Sequence, residues 1–258
     1  MTDLPEGYSV RVVAVTKPVV SDAAAVARLH DKDLGAPPAL RNSSYPSEAI
    51  ITYCARVSNP SNQSNHETGP RLLRYLRKHG HWSPFEMAHA VIEIECPRDI
   101  ARQILRHRSF SFQEFSQRYA AALHRARREA RRQDHTNRQA SHDDLPRWKR
   151  AVWALTSRAV AVAAAVAYST ALRMDIAKET ARTVLPEGQT MSRLYMAGSV
   201  RSWLHYVQLR TGIETQREHR AVALAVREEL TRHYPQTFDP DYPSPSPAAS
   251  RNGGKNDT

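Results

Sequence analysis

Arg106-His107-Arg108-Ser109-Phe110-Ser111-Phe112-Gln113-Glu114-Phe115-Ser116-Gln117-Arg118-Tyr119 is the stretch on which the reading of this chain turns. Positive heads (Arg106, His107, Arg108, Arg118), one carboxylate (Glu114) and three serines are interleaved with aromatic rings at 110, 112, 115 and 119. Guanidinium groups match phosphate oxygens in two-pronged geometry, and hydroxyls add short-range donors and acceptors. A glutamate among arginines can be held ionised, ready to accept bonds from a base or ribose. The serine and aromatic positions do not keep a helical period. The segment therefore reads as a loop set on the end of a helix, not as a solvated basic helix face. Anion-binding chemistry of this density, with its own apolar support, reads as a nucleotide site.

Immediately upstream, Asp99 is expected to cap a helix from Ile100 to His107 whose inner face is Ile100, Ala101, Ile104 and Leu105. Gln103 and Arg106, three apart, share its other side and aim at whatever the loop binds. Before it, Ala88–Cys96 alternates as a strand, with Ala90, Ile92, Ile94 and Cys96 on one face and His89, Glu93 and Glu95 on the other. Further back lie an alternating stretch from Tyr8 to Val20 that reads as a strand ending near Lys17-Pro18, a stretch from Ser21 to Ser47 that reads as an insertion, and helices at Ser47–Val57 and Arg71–His79. Gly80 ends the second helix, and His81–Glu86 is a turn. Downstream, Ala120–Gln139 is basic and irregular. Pro146 opens an alanine-rich helix to about Arg173. Shorter helices follow at Ile176–Leu185, Ser199–Leu209 and Arg217–His233. From Asp239 the Pro- and Ser-rich tail cannot build a core and reads as disordered. The tally predicts an α+β fold, mostly helical with a small sheet, in one domain over 1–238 and a tail over 239–258.

The 258 residues carry a formal charge of +11, and between Arg98 and Arg138 eleven arginines face four acids. Such a field attracts mononucleotide phosphates or nucleic acid and does not choose between them. Two cysteines, Cys54 and Cys96, give neither a disulfide framework nor zinc spacing. His79 and His81 lack a third ligand at usable spacing, so no metal is expected. The longest apolar run, Ala159–Tyr168, is far short of the ~20 residues a membrane span needs, and no export signal opens the chain. The expectation is a soluble cytoplasmic protein. Gly-x-Gly-x-x-Gly and the phosphate-loop pattern are both absent, so basic side chains would have to hold any dinucleotide.

Arg106-His107-Arg108, seven residues, then Ser116, with Glu114 two places before the serine, resembles the signature of the flavin-dependent thymidylate synthases. Gln113 stands where many members carry Asn, and the similarity runs from about Val12 to about Phe238. The resemblance implies that family's fold, and FAD with dUMP beside it. Carried over position by position, it assigns His81, Ser83, Arg106, His107, Arg108, Glu114, Ser199, Arg201 and His205 to the flavin. To the nucleotide it assigns Gln103, Arg106, Glu114, Phe115, Ser116, Gln117, Arg118, Arg182 and Arg210. Some relatives have asparagine where Ser199 and His205 stand. Helical geometry puts Arg201, His205 and Gln208 on one face and Arg210 opposite Arg201. At Arg182 a second reading stands beside the first, a cation at a helix end. For His205 it is an ordinary half-buried histidine.

The implied reaction is reductive methylation of dUMP to dTMP, with 5,10-methylenetetrahydrofolate as carbon donor and NADPH as reductant through the flavin. Arg210 maps to the catalytic arginine that favours ionisation at N3 of uracil. The resemblance also implies a homotetramer with shared active sites. Cys54 and Cys96 both read as core thiols, which agrees with a route that needs no cysteine nucleophile. Ser116 has no identifiable partner base and reads as a binding hydroxyl. The rival reading, carried by the net charge and the Arg125–Arg138 stretch, is a non-enzymatic nucleic-acid-binding protein.

Overall fold

A computed structural model of the chain describes residues 4–18, 45–62, 65, 67–119, 126–137 and 140–238. Nearly all of the expected insertion and the whole tail from Asp239 fall outside these residues. In chain order the elements are β1 (Ser9–Val15), α1 (Pro46–Ala55), α2 (Gly69–Lys78), β2 (His89–Pro97), α3 (Arg98–Ile104), β3 (Ser111–Glu114), β4 (Arg132–Gln133) and β5 (Ser141–His142). There follow α4 (Arg147–Arg173), α5 (Lys178–Ala181), β6 (Met191–Ser199), α6 (Val200–Arg210) and α7 (Arg217–His233), with short 3-10 turns between. Helix outweighs strand, and the architecture is α+β as expected.

The chain forms two compact units, each assembled from three segments. The first takes Met1–Val13, Val91–Gly198 and Leu209–Glu228; the second takes Ala14–Ala90, Ser199–Gln208 and Glu229–Thr258. The main sheet runs in the order β1-β2-β6-β3, and β3 lies antiparallel to β6. Alternation along β2 is the physical basis of this sheet. Ile92, Ile94 and Cys96 are fully buried, as are Leu194 and Met196 of β6. Each such isoleucine is worth roughly 2–3 kcal/mol of burial. The opposite face is a set of cross-strand polar pairs. Glu95 accepts from Ser9 on β1 and from Arg193 on β6, and Glu93 pairs with Arg11 at 2.8 Å. Ile100, Ala101 and Ile104 of α3 and Val222 and Val226 of α7 are buried in the same unit.

In the second unit, α1 and α2 bury Ile51, Leu73 and Leu76, the 3-10 turn Ser83–Met87 buries Phe85, and α6 buries Trp203 and Tyr206. Gly80 takes φ +68°, which is why a glycine follows the end of α2.

Several local expectations are corrected. Asp99 does not cap α3: Pro97 is the N-cap residue and there is no side-chain cap bond, because the Asp99 carboxylate receives Arg128 Nη2 at 2.5 Å instead. The helix stops at Ile104, three residues short of His107. Ile176–Leu185 yields only the single turn α5 and a 3-10 turn, Arg182–Val184. Sequence reading also leaves β3 and β6 unassigned. The alternation was present in β6, where Ser192, Leu194, Met196 and Gly198 are buried and Arg193 and Tyr195 exposed, but a serine and a glycine at two of the buried positions blunt its apolar face.

The 27-residue α4 departs most from expectation. It buries only Tyr168, and by length and composition it is long and apolar enough to cross a membrane. Counting uninterrupted apolar residues missed this, because Arg158 divides a run that is otherwise apolar or small.

Candidate active site

Where α3 ends, the chain turns through Arg106-His107-Arg108 and enters β3, whose partners on β6 run from Ser111 opposite Ala197 to Glu114 opposite Leu194. The turn is anchored by Phe110. Its ring lies over Gly198 so closely that a Cβ there would stand 2.5 Å from Phe110 Cδ1. With Phe110 buried and His107 buried, Arg106 and Arg108 are left exposed at the turn. Neither has a carboxylate partner among the described residues.

Glu114 closes β3 and is held from two sides. Ser192 Oγ donates to Glu114 Oε1 at 2.8 Å, and Arg98 Nη1 lies 3.6 Å from the same oxygen. Phe115 is exposed, while Gln117 is 3 % exposed and its Nε2 has no partner among the described residues. A buried amide donor left open is costly unless something accepts from it. Arg118 reaches Glu179 at 3.5 Å, with both side chains more than half exposed, a pairing that a ligand phosphate could readily displace. Arg182 opens the 3-10 turn after α5.

Opposite the turn stand Arg210, the last residue of α6, and the first turn of α7. Arg210 Nε donates to His107 Nε2 at 2.9 Å, so His107 presents a bare ring nitrogen to the guanidinium. His219 sits edge-on to His107, ring centroids 6.3 Å apart. Burial first, then Arg210 and His107, push the His219 imidazole down to about 3, so this histidine is neutral. Gln103 lies between His219 Nδ1 at 3.3 Å and Gln216 at 2.7 Å. Sequence reading assigned His107 and Arg210 to different ligands; the fold joins them directly. It missed Gln216, Glu218 and His219 altogether, although their place on the opening turn of a helix was visible.

The second unit carries the remaining candidates. His81 and Ser83 are exposed beside the 3-10 turn, and Arg201 pairs with Glu86 of that turn at 3.0 Å. His205 is exposed one turn further along α6. Ser199 is 5 % exposed, and its Oγ accepts from Ser202 N at 3.3 Å. This is an N-cap bond, a structural use of the hydroxyl.

Within the first unit a cavity of about 1490 Å³ opens where β3 ends, lined by Phe115, Arg127, Trp153, Arg158, Gln189 and Arg193 among others. Among the described arginines of the basic stretch, three pair with carboxylates. Arg128 meets Asp99 and Glu218, Arg131 meets Glu218, and Arg132 meets Asp144 at 2.6 Å. Both cysteines are shifted upward by burial, Cys96 to about 12, so neither is a thiolate at neutral pH. Among the described residues no group of three or more potential metal ligands occurs.

These features define a class: an α+β protein that gathers guanidinium groups without carboxylate partners among the described residues, a buried amide donor and a buried neutral histidine around one turn, suited to anionic nucleotides. The donor set fits a flavin dinucleotide in charge, since Arg106 and Arg108 have no internal carboxylate to neutralise them. Comparison with known proteins narrows the class. The family model described as thymidylate synthase complementing protein matches residues 40–236. The chain is 48 % identical over 188 residues to a flavin-dependent thymidylate synthase of Synechocystis sp., covering 73 % of this chain and 86 % of that protein. It is 42 % identical over 228 residues to a Paramecium bursaria Chlorella virus 1 protein named "Probable flavin-dependent thymidylate synthase", covering 88 % of this chain and 95 % of the other. In fold it resembles the UMP/dUMP methylase PolB of Streptomyces cacaoi, with TM-score 0.69 and 23 % identity over 92 % of this chain and 94 % of that one. The chain belongs to the flavin-dependent thymidylate synthase family.

Proposed function

We propose that this protein converts dUMP to dTMP by reductive methylation. The observation that carries the reading, beside family membership, is the Arg210–His107 junction at 2.9 Å, which aims a fixed guanidinium into the turn that bears the family signature. Methylenetetrahydrofolate supplies the carbon that becomes the new methyl group, the C5 proton of uracil leaves, and NADPH supplies the electrons. Bound flavin provides the hydride-transfer chemistry. Arg106 and Arg108 hold phosphate, and Glu114, oriented by Ser192 and Arg98, accepts from ligand N–H or O–H groups. Gln103, Phe115, Ser116, Gln117, Arg118 and Arg182 complete the nucleotide contacts, and His81, Ser83, Arg201 and His205 those to the flavin. Arg210 stabilises negative charge at uracil N3 and O4 as C5 becomes nucleophilic, a task for a pre-placed cation. A guanidinium tethered through Nε keeps both terminal nitrogens for the substrate.

The working form is a homotetramer. Val152, Leu155, Val162 and Val166 of α4 are each more than half exposed, and with Ala159 they recur at spacings of three and four. That is the seam a second helix packs against. A second copy covers it in this reading. Ion pairing of Arg128, Arg131 and Arg132 to carboxylates speaks against the nucleic-acid alternative, which needs unneutralised charge.

The deciding assay follows release of the C5 hydrogen of dUMP from the yellow, flavin-loaded protein on adding methylenetetrahydrofolate and NADPH. Turnover that requires both additions is expected. A purified protein that stays colourless in the presence of excess flavin would sink the reading.

A further inference from the structure

Gln103 on α3 belongs to a row of polar side chains whose hydrogen bonds all run in one direction, and a charge sets that direction. Glu218, in the first turn of α7, is 6 % exposed and accepts from Arg131, with Arg128 Nη1 3.4 Å away. Burial alone would push its carboxyl up. Arg131, its own backbone N–H, Arg128 and Gln216 together outweigh that and hold it below the usual glutamate value. An ionised carboxylate only accepts. Gln216 must therefore turn its Nε2 toward Glu218 Oε2, at 3.1 Å, which leaves its Oε1 facing Gln103 Nε2 at 2.7 Å. Gln103 in turn shows its Oε1 to His219 Nδ1 at 3.3 Å, so this nitrogen carries the proton. His219 is fully buried and neutral, which gives it one N–H, and the row places that hydrogen on Nδ1.

We propose that Gln216 and His219 are positioning residues that lock the Gln103 carboxamide in one of its two flips, so that it meets the nucleotide with one oriented N–H and one oriented oxygen lone pair. This rests on the reading of Gln103 as a nucleotide contact. A free carboxamide exchanges its two ends at little cost, and half of its orientations would set donor against donor. A primary amide has two N–H groups and an oxygen with two lone pairs. The row engages one N–H and one lone pair, which leaves one of each for the nucleotide. His219 is suited to this because it also stands edge-on to His107, the anchor of Arg210. One buried ring thus borders both the amide and the histidine that holds the guanidinium.

The test is a double-substitution cycle on dUMP affinity, titrated into the flavin-loaded full-length protein. His219→Leu should weaken dUMP by about tenfold, the scale of one lost oriented hydrogen bond, with flavin content unchanged. His219→Asn, which keeps a donor near the place of Nδ1, should stay within about threefold of the parent. In a Gln103→Ala background His219→Leu should change affinity by less than about twofold, because the amide through which it acts is gone. Equal losses with and without Gln103 mean a general packing role and overturn the proposal, as does an unaffected His219→Leu protein. Should His219→Leu not fold, Gln216→Met enters the same cycle from the other side of the amide with the same expectations. A parent protein that binds flavin but no dUMP removes the underlying reading, a result distinct from a parent that binds while its variants bind equally well.

Discussion

At the scale of single residues, the site depends on which polar groups are already satisfied by the protein. Arg210 is the clearest case, since its Nε is occupied by His107 and its charge has to act through the other nitrogens. Arg210→Ala is expected to lower turnover by at least about a hundredfold, comparable to removing a donor to developing negative charge, with the flavin absorbance retained. Arg210→Lys keeps the charge but loses the forked geometry, so it should recover only part of the activity. Steady-state rates with dUMP, read beside flavin content, check both; near-normal turnover in Arg210→Ala would refute the role assigned to it. The candidate residues could be named from the sequence, because the Arg106–Ser116 spacing is irregular and specific. The use made of each residue was not. Ser199 is an N-cap, and Asp99 serves Arg128 instead of capping α3.

Elements set where those residues can stand. β3 carries Glu114 and is seated by the Phe110 ring on Gly198, where any side chain would intrude. Gly198→Ala should cost about 1–3 kcal/mol from overpacking and displace β3, so the melting temperature and dUMP affinity fall together. An unchanged melting curve would show that the ring has room to move. In the other unit, Glu48 in the first turn of α1 is 5 % exposed and accepts from Thr237 N at 2.7 Å. Burial pushes its carboxyl up to about 7, offset in part by bonds from Thr237 and Gln236. A raised carboxyl favours the fold in its protonated form, so its contribution is present below about pH 4.5 and is lost as pH rises to about 7. The full loss is at most about 3 kcal/mol. Glu48→Gln should therefore match the parent near pH 4.5 and exceed it in urea midpoint at pH 8. A constant difference between the two proteins at both pH values would rule this out.

Assembly is decided at the scale of the whole molecule. A 27-residue helix with one buried side chain and a three-four stripe of exposed Val and Leu has to be covered, and the same helix passes a membrane test by length and composition. The two coverings separate in solution. Sedimentation should give about four times the mass of the 29.1 kDa chain. The double substitution Leu155→Glu with Val162→Glu should lower that mass and reduce turnover more at low protein concentration than at high. Sedimentation as a monomer, with flotation on lipid vesicles, would favour the bilayer instead.

The amino-acid order alone determined the α+β class, the extents of β2, α4 and α7 to within a residue or two, and the place of the turn that carries the family signature. Those are properties of hydrophobic period, local breakers and a dense motif, all of which act over a few residues. Only tertiary structure decided that β6 lies inside the sheet, that Arg210 leans on His107, and that Gln216 and His219 bracket Gln103. Each of these joins residues from about 80 to more than 110 positions apart. Such contacts are selected by burial and by the need of every enclosed polar group for a partner. Burial leaves a period within each element but does not say which elements pair, and the matching of enclosed polar groups leaves no periodic trace.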